Sequence, residues 1–410
     1  MAISKGKHTK KRLLSGLVVL AIIFIYVLLS LTLPVKALIT PNNNTPLNIT
    51  TPPSNLPWPS FGEAAVGLGN GTVIQTHGNQ KPVPTASVAK LITALSVLKK
   101  HPLSLGQSGP LITITPADYA IYTKYIAEQG SVVPVYSGEQ LTEYQMLEAM
   151  LVPSGNNIAD SLAIWAYGSL SNYSSFANTY VKQLGLTNTH IGVDASGYSP
   201  TTTSTASDLI KLGSYIMSNP VLAQIVDMKT VDVPNVGVMS NYDTSILGTN
   251  GIVGIKTGNS NQAGGVFLGA AKTIVNNKPV TILVAIMEAS TLTQALNSTV
   301  PLVISLQNDF AQTIIVNKGE VLGEFRQPWG GIVQVAAKNN LEVYLLQGEK
   351  AKAQLHLSPL KISSPQGTLI GYISTKANQF NSATTDPLIT LEATTTPSWQ
   401  WRLLHPSYIF

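Results

Sequence analysis

The sequence predicts an α/β protein of the α+β type, in which an antiparallel sheet is flanked by helices. A transmembrane helix is expected at the N-terminus and a small all-β domain at the C-terminus. Three observations favour this: an apolar run at residues 13–33, strands that bracket a helical middle within residues 61–310, and short strands with turns in residues 311–396. The 410 residues are enough for both domains.

The N-terminus combines a basic head with the apolar run. Residues 1–12 carry five basic side chains and no acid, and residues 13–33 would be about 31 Å long as a helix, which matches a bilayer core of roughly 30 Å. Because basic flanks stay in the cytoplasm, we predict a cytoplasmic head, a single-pass anchor and an extracytoplasmic remainder. The alternative is a signal peptide cleaved after Ala37, although the run of 21 residues exceeds the usual 7–15 of such signals.

The net charge of +5 comes from this head alone, since the other 398 residues carry 20 basic and 20 acidic side chains. Nucleic-acid binding needs clustered Lys and Arg, so no nucleic acid is expected as a partner. The absence of cysteine excludes disulfides, thiol catalysis and thiolate metal sites. The six histidines are scattered and no His-Glu-x-x-His sequence occurs, so we expect neither a metal nor a cofactor.

Residues 34–60 predict a linker. Six prolines lie between positions 41 and 59, among asparagine and threonine, and this composition is typical of an extended spacer. A domain held at a membrane but spaced away from it is expected to act on external material such as a cell wall.

Local signals predict the elements of residues 61–310. Asn70-Gly71 indicates a hairpin over Ala64–Thr76, and Thr142–Gln145 is a capping box that opens a helix, which Pro153 interrupts. Apolar periodicity predicts helices at Ser87–His101, Ile158–Trp165, Phe176–Leu184 and Thr205–Met217. The period of strands then appears at Val253–Thr257, Gly265–Ala271 and Val280–Met287, the last being nearly all apolar and therefore central.

Short strands are predicted in residues 311–396, at Ile314–Val316, Ile332–Ala336, Val343–Leu346, Leu369–Ser374 and Leu388–Leu391. Residues 397–410 form an aromatic tail. Its shortness and Pro406 favour packing or fraying over a place at the membrane interface.

Ser87-Val88-Ala89-Lys90 places a hydroxyl and an amine on one face of a predicted helix start. A serine at that position can also present its backbone N–H to a developing oxyanion. The pattern Ser-x-x-Lys occurs four times in the chain, so by itself it predicts only a helix cap followed by a solvated lysine.

Two further motifs, each unique in the chain, favour catalysis. Ser154-Gly155-Asn156 lies between two predicted helices, and Lys256-Thr257-Gly258 ends an apparent strand. Taken singly, the first would be a helix cap and the second a turn. The three motifs in this order, in an exported protein, are far less expected by chance.

The triplet resembles the signature of the serine-type penicillin-recognising enzymes, and within them the low-molecular-mass D-alanyl-D-alanine carboxypeptidases of peptidase family S11. The similarity continues through Gly138–Thr142 and Leu184–Thr189, and it covers about residues 61–395. It implies the β-lactamase-like transpeptidase fold with the family's second, β-rich domain. It also implies removal of the terminal D-alanine from peptidoglycan stem peptides, and inhibition by β-lactams.

The resemblance and the chemistry of the residue types together predict five catalytic side chains. Ser87 attacks the peptide carbonyl and Lys90 is its base, provided that burial and nearby positive charge lower the lysine pKa. Ser154 relays a proton to the leaving nitrogen. Asn156 holds the amine and a substrate amide, while Lys256 supplies positive potential.

Substrate binding is assigned to the residues after Lys256. Thr257 binds the terminal carboxylate, and Gly258 lets the strand lie close to the substrate. The backbone N–H groups of Ser87 and Asn259 form the oxyanion site.

Two departures from the family pattern put carboxylate recognition in question. Asn259-Ser260 replaces a frequent His-Thr, and residues 288–300 contain no Arg or Lys where some relatives have an Arg.

Three alternatives to a carboxypeptidase remain. A transpeptidase or endopeptidase of the same family is open, because an acyl-enzyme partitions between water and an amine. A class A β-lactamase is disfavoured, since Ser-Asp-Asn and the Glu-x-x-Leu-Asn loop are missing. The third is a catalytically weak wall-binding protein.

Overall fold

The computed structural model describes residues 5–38, 47–50, 53–376 and 383–410. They divide into two compact units. The α+β unit comprises Thr51–Ala311 with Tyr344–Glu349, and the β unit comprises Met1–Thr50, Gln312–Val343 and Lys350–Phe410. Within the predicted linker, residues 39–46, 51 and 52 lie outside the described residues.

The N-terminal part of the β unit is one long helix and one short strand. Helix α1 (Lys5–Thr32) contains a segment, Lys10–Thr32, that is long and apolar enough to cross a membrane, with a mean hydropathy of 2.8. Strand β1 (Leu47–Thr50) pairs antiparallel with residues 350–353, and Leu38 forms a bridge with Leu360. Residues 47–50 of the predicted linker are thus paired as a strand at a sheet edge, a contact that composition does not reveal, and the linker itself stays a prediction.

The α+β unit contains eleven described strands, which are β2 (Glu63–Leu68), β3 (Val73–His77), β4 (Val83–Pro84), β5 (Leu111–Thr113), β6 (Gln140–Thr142), β7 (Thr203–Ser204), β8 (Thr230–Val233), β9 (Gly237–Ser240), β10 (Ile252–Ser260), β11 (Gly264–Val275) and β12 (Lys278–Ala289). Five form one antiparallel sheet in the order β10-β11-β12-β2-β3, and the others form the pairs β4-β7, β5-β6 and β8-β9. The apolar strand β12 lies at the centre, as predicted. Strand β10 lies at an edge.

The described helices of this unit are α2 (Lys90–Lys100), α3 (Pro116–Ala127), α4 (Glu143–Leu151), α5 (Asn156–Tyr167), α6 (Leu170–Gln183), α7 (Ala206–Ser218), α8 (Pro220–Val226) and α9 (Leu292–Asn308). The capping box that opens α4 is confirmed, with Thr142 and Gln145 bonded reciprocally. Helix α6 begins six residues before the predicted start, because Ser169 caps it. The sequence analysis missed α3, α8 and α9, and the last of these contains Pro301.

Both faces of the central strand are covered. Leu283 and Ala285 of β12 belong to one hydrophobic cluster with residues of α7, and the alternating residues Ile282 and Val284 are also fully buried. Helix α9 contacts β11 and β12. This double burial gives the edge strand β10 a rigid support on the inner side of the sheet.

The other strands are β13 (Phe310–Val316), β14 (Val321–Arg326), β15 (Ile332–Ala337), β16 (Leu341–Leu346), β17 (Lys350–Leu357), β18 (Leu369–Thr375) and β19 (Thr385–Thr390). Six strands form a sheet in the order β1-β17-β18-β19-β15-β14. The five predicted strands are present, and β14 and β17 were missed because their charged residues and Gly323 weaken the strand pattern. The tail folds as helix α10 (Trp399–Leu404) and a 3-10 turn, Pro406–Tyr408.

Candidate active site

Ser87 and Lys90 come together at the start of α2. Residues Ala86–Ala89 form one 3-10 turn rather than the predicted first turn of an α-helix. In a 3-10 turn, side chains at positions i and i+3 lie almost above one another. Lys90 Nζ accordingly lies 2.8 Å from Ser87 Oγ, with Ser87 half-buried and Lys90 fully buried. The pair has the geometry for proton transfer.

Ser154 and Asn156 reach this pair from the break between α4 and α5. Asn156 Oδ1 accepts a hydrogen bond of 2.7 Å from Lys90 Nζ. The backbone of Ser154 is left-handed, with φ of 63°, and the residue lines a cleft together with Ser87. A Cβ at Gly130 would lie 2.7 Å from the amide nitrogen of Asn156, so glycine is what leaves room for that side chain.

A loop that the sequence analysis did not single out supplies the third partner of Lys90. The Ser196 carbonyl oxygen accepts a hydrogen bond of 2.9 Å from Lys90 Nζ. Asp194 shapes this loop, because one carboxylate oxygen accepts from the backbone N–H groups of Ser196 and Gly197, at 2.8 and 2.6 Å. The sequence signal was Asp-Ala-Ser-Gly, which is typical of a turn. Nothing in it indicates contact with a lysine 106 residues earlier.

Asp160 also stabilises the loop that contains Asp194 and Ser196. It lies on α5, and its carboxylate accepts hydrogen bonds from the N–H of Ala195, at 2.9 Å, and the hydroxyl of Tyr125, at 2.8 Å. Burial raises the pKa of Asp160 to about 6, and burial also raises the pKa of Tyr125, which therefore stays neutral. The sequence analysis missed these residues because their hydrogen bonds join segments that are distant in the sequence.

The edge strand β10 carries Lys256 and Thr257 and brings Gly258 close to the segment Thr85–Ser87. Lys256 and Thr257 are buried. A Cβ at Gly258 would lie 2.7 Å from the Thr85 carbonyl oxygen and 3.3 Å from the Ser87 backbone nitrogen. The close approach that requires glycine is thus to the nucleophile segment, whereas the sequence analysis expected it to be to the substrate.

The predicted side chains surround one open cleft of about 740 Å³. Its lining includes the predicted residues Ser87, Ser154, Asn156, Thr257, Gly258 and Asn259. Lys90 and Lys256 do not line the cleft and lie buried beneath it. In the described part of the chain, no group of three or more His, Asp and Glu side chains could hold a metal ion.

The two buried lysines differ in how readily they lose a proton. Burial lowers the pKa of Lys90 well below the ordinary 10.5, the positive charge of Lys256 lowers it further, and Asp194 and Asp160 act in the opposite direction. Burial lowers the pKa of Lys256 to about 8, with Asp243 opposing. Lys90 is therefore suited to act as a base, while Lys256 keeps most of its charge at neutral pH.

Asp243 is the acidic neighbour of Lys256, and the sequence analysis missed it as well. It is fully buried in the turn before β10. Among the described residues, neither its carboxylate oxygens nor Lys256 Nζ finds a hydrogen-bond partner. Burial raises the pKa of Asp243 to about 6, and the charge of Lys256 lowers it. The two groups thus interact through space as buried opposite charges.

Known proteins are similar to this chain in sequence. The profile of the Peptidase S11 family, described as D-alanyl-D-alanine carboxypeptidase, matches residues 64–291, which is more than half of the chain. The chain belongs to this family. A D-alanyl-D-alanine carboxypeptidase of Mycobacterium tuberculosis is 30% identical, over 50% of this chain and 67% of that protein. A D-alanyl-D-alanine endopeptidase of Escherichia coli is also 30% identical, over 53% of this chain and 68% of that protein.

Solved structures show the same fold. Penicillin binding protein 5 from Haemophilus influenzae superposes with a TM-score of 0.56 at 21% identity, over 82% of this chain and 97% of that one. A D-alanyl-D-alanine carboxypeptidase from Mycobacterium tuberculosis has a TM-score of 0.53 at 25% identity, over 62% of this chain and 94% of that one. The predicted penicillin-recognising fold is confirmed.

Proposed function

We propose that the protein is a serine D-Ala-D-Ala carboxypeptidase that removes the terminal D-alanine from peptidoglycan stem peptides, with Ser87 as nucleophile. The observation that carries the proposal is the 2.8 Å contact between Ser87 Oγ and Lys90 Nζ, an amine whose pKa burial lowers. A neutral amine accepts the serine proton, which an ordinary lysine at neutral pH does not do.

The reaction follows from the positions of the five side chains. Lys90 takes the proton of Ser87 Oγ as that oxygen bonds to the carbonyl carbon between the two D-alanines. The C–N bond then breaks, and the leaving nitrogen receives a proton by way of Ser154, which lines the same cleft. Water attacks the resulting ester, so Ser87 is restored and the shortened peptide leaves.

Charge in the cleft supports recognition of a terminal carboxylate. Thr257 offers its hydroxyl from the cleft wall, and Lys256 supplies positive potential from beneath. Lys124 is the one cationic side chain among the described residues of the wall. We propose that these groups replace the Arg that residues 288–300 lack.

The oxyanion site is assigned to backbone groups. A Cβ at Gly258 would lie 3.3 Å from the Ser87 backbone nitrogen, and Ser87 and Asn259 both line the cleft, so their N–H groups belong to neighbouring segments. Two such donors can stabilise the negative charge of the tetrahedral intermediate and of a β-lactam adduct.

The proposal is tested by incubating the membrane-embedded protein with a stem pentapeptide and measuring free D-alanine. We expect one D-alanine per pentapeptide and labelling by a fluorescent penicillin. Labelling without D-alanine release would overturn the carboxypeptidase assignment. The second candidate is an endopeptidase, favoured by the 30% identical relative of that name. Cleavage of cross-linked dimeric stem peptides at a higher kcat/KM than the pentapeptide would establish it.

Asp243 is proposed to be a positioning residue that keeps Lys256 charged. Its replacement by asparagine removes the attraction, so the pKa of Lys256 falls below about 8 and its charge is lost at lower pH. In a pH profile of penicillin acylation, we expect the alkaline limb of Asp243→Asn to move down by on the order of one pH unit. Below pH about 6 the two proteins should converge, because Asp243 is then protonated.

Two charged groups couple to this pair: the charge of Lys256 lowers the pKa of Lys90, and Asp227 raises the pKa of Asp243. Asp232→Asn on the exposed face of β8 serves as the control and should leave the profile unchanged. A uniform loss of rate in Asp243→Asn, without a shift of the alkaline limb, would reduce the role of Asp243 to packing.

For localisation, we propose that α1 stays attached as a membrane anchor with the basic head in the cytoplasm. The support is the apolar segment Lys10–Thr32 and the five basic side chains before residue 13. A mass measurement on the mature protein should show an intact N-terminus, whereas loss of 37 residues would establish cleavage after Ala37.

A further inference from the structure

The two ends of the chain contact one another within the β unit. The Tyr26 hydroxyl of α1 donates to the Leu403 carbonyl oxygen at 2.5 Å, and Arg402 Nε donates to the Ser30 carbonyl oxygen at 2.7 Å. Arg402 Nη2 also donates to the Leu33 carbonyl oxygen. Just beyond the helix, the Lys36 N–H donates to the Tyr408 carbonyl oxygen at 2.9 Å.

These contacts provide hydrogen-bond donors to the carbonyl groups at the outer end of α1. The last carbonyl groups of a helix have no partner within it, and leaving them unpaired is costly in a lipid environment. The guanidinium of Arg402 donates to the Ser30 carbonyl in the last turn and to the Leu33 carbonyl just beyond it, which places a positive charge at the negative end of the helix dipole. Tyr26, Val27 and Ser30 are the residues of the apolar segment Lys10–Thr32 that are not exposed.

The depth of the contact is set by helix geometry. Tyr26 lies six residues before the end of α1, which is about 9 Å along the helix axis. The C-terminal segment, defined as residues 399–410, therefore lies beside the last two turns of the anchor. It contains no acidic residue, and Trp399, Leu404 and Phe410 are 61%, 76% and 53% exposed.

We propose that the C-terminal segment is a clamp that grips the outer end of the anchor and lies in the lipid headgroup interface, with lipid covering its exposed aromatic and leucine side chains. Continuity with the membrane-spanning helix identifies lipid as the occupant, since Trp and Tyr favour this layer. The inference rests on the proposed retention of α1. It differs from the expectation from sequence, which favoured packing or fraying of the tail.

The test uses the absence of cysteine in the full chain. Leu404→Cys is labelled with the fluorophore NBD, and the protein is reconstituted in phosphatidylethanolamine–phosphatidylglycerol vesicles with or without brominated lipid. We expect blue-shifted emission and quenching by bromine several-fold stronger than for the same label at Val238→Cys, a 71% exposed apolar residue of the α+β unit. Adding Arg402→Gln should bring the emission and the quenching of the label at position 404 towards the values measured at position 238.

Each other outcome contradicts part of the proposal. If the label at position 404 shows neither a blue shift nor quenching while the mass shows that α1 is retained, the clamp is contradicted and the proposed anchor is not. A blue shift without bromine quenching would identify a protein occupant, such as a second copy. Unchanged quenching in Arg402→Gln would overturn the grip on α1. A mass that lacks residues 1–37 would overturn the proposed anchor and the clamp together.

Discussion

A Ser87→Ala protein should release D-alanine from a stem pentapeptide at least about 10³-fold more slowly than the unaltered protein. It should also take up no fluorescent penicillin. In the proposed reaction, the hydroxyl oxygen of Ser87 is the atom that bonds to the carbonyl carbon of the stem peptide and of the penicillin alike. The measurements are kcat/KM for D-alanine release and the stoichiometry of the covalent label.

The chain offers a matched control for this substitution. Ser96 begins another Ser-x-x-Lys sequence, Ser96-Val97-Leu98-Lys99, but its side chain is fully buried in α2 and its hydroxyl has no hydrogen-bond partner among the described residues. Ser96→Ala should keep both activities and lose little stability, because it removes an unpaired buried hydroxyl. Retained penicillin labelling in Ser87→Ala would show that another residue is the nucleophile.

The second large effect is expected from Lys90→Met. Methionine has a similar length, but it cannot accept the serine proton or donate to Asn156 Oδ1 and the Ser196 carbonyl oxygen. We expect both acylation by penicillin and D-alanine release to fall by about 10³-fold. The acid limb of the pH profile should also disappear, because it reports protonation of Lys90 in the unaltered protein.

The direction in which activity changes along this acid limb follows from the pKa of Lys90. Burial and the charge of Lys256 lower this pKa, so the amine becomes neutral and active as the pH rises through a value well below 10.5. Lys99→Met is the control, since Lys99 is exposed at the end of α2 and lies outside the cleft. If Lys90→Met kept its acid limb, the titrating base would have to be another group.

The proposed roles of Lys90 and Lys256 explain why the site needs two lysines. Both are buried, and the positive charge of Lys256 disfavours the charged form of Lys90. Asp243 stabilises the charge of Lys256, which leaves Lys90 as the amine that gives up its proton. A single buried lysine would have to serve as base and as positive charge at once, and the two roles require opposite protonation states.

Local sequence determined several features without any tertiary information. The three motifs identified the chemistry, and the basic head with residues 13–33 identified the segment long enough to cross a membrane. The Asn70-Gly71 hairpin, the Thr142 capping box and the apolar strand β12 were also predicted correctly, because backbone conformation and burial there depend on neighbouring residues.

Tertiary structure decided which groups meet. The Ser196 carbonyl reaches Lys90 across 106 residues, and β1 completes the edge of a sheet formed far along the chain. Asp243 and Lys256 interact through their charges, although neither side chain forms a hydrogen bond with a described residue. Gly258 is needed for contact with Thr85 and Ser87.

The physical reason is the range of the interactions. Capping, turn formation and hydrophobic periodicity act over a few residues and are therefore visible in the sequence. Burial of a charge, pairing of a strand edge and the grip of Arg402 on the Ser30 carbonyl act between segments that only the fold brings together. The sequence thus predicted the reaction class, which the family match bears out, and a set of site residues whose roles stay a prediction. Only the tertiary structure decided the burial of those residues and their supporting contacts.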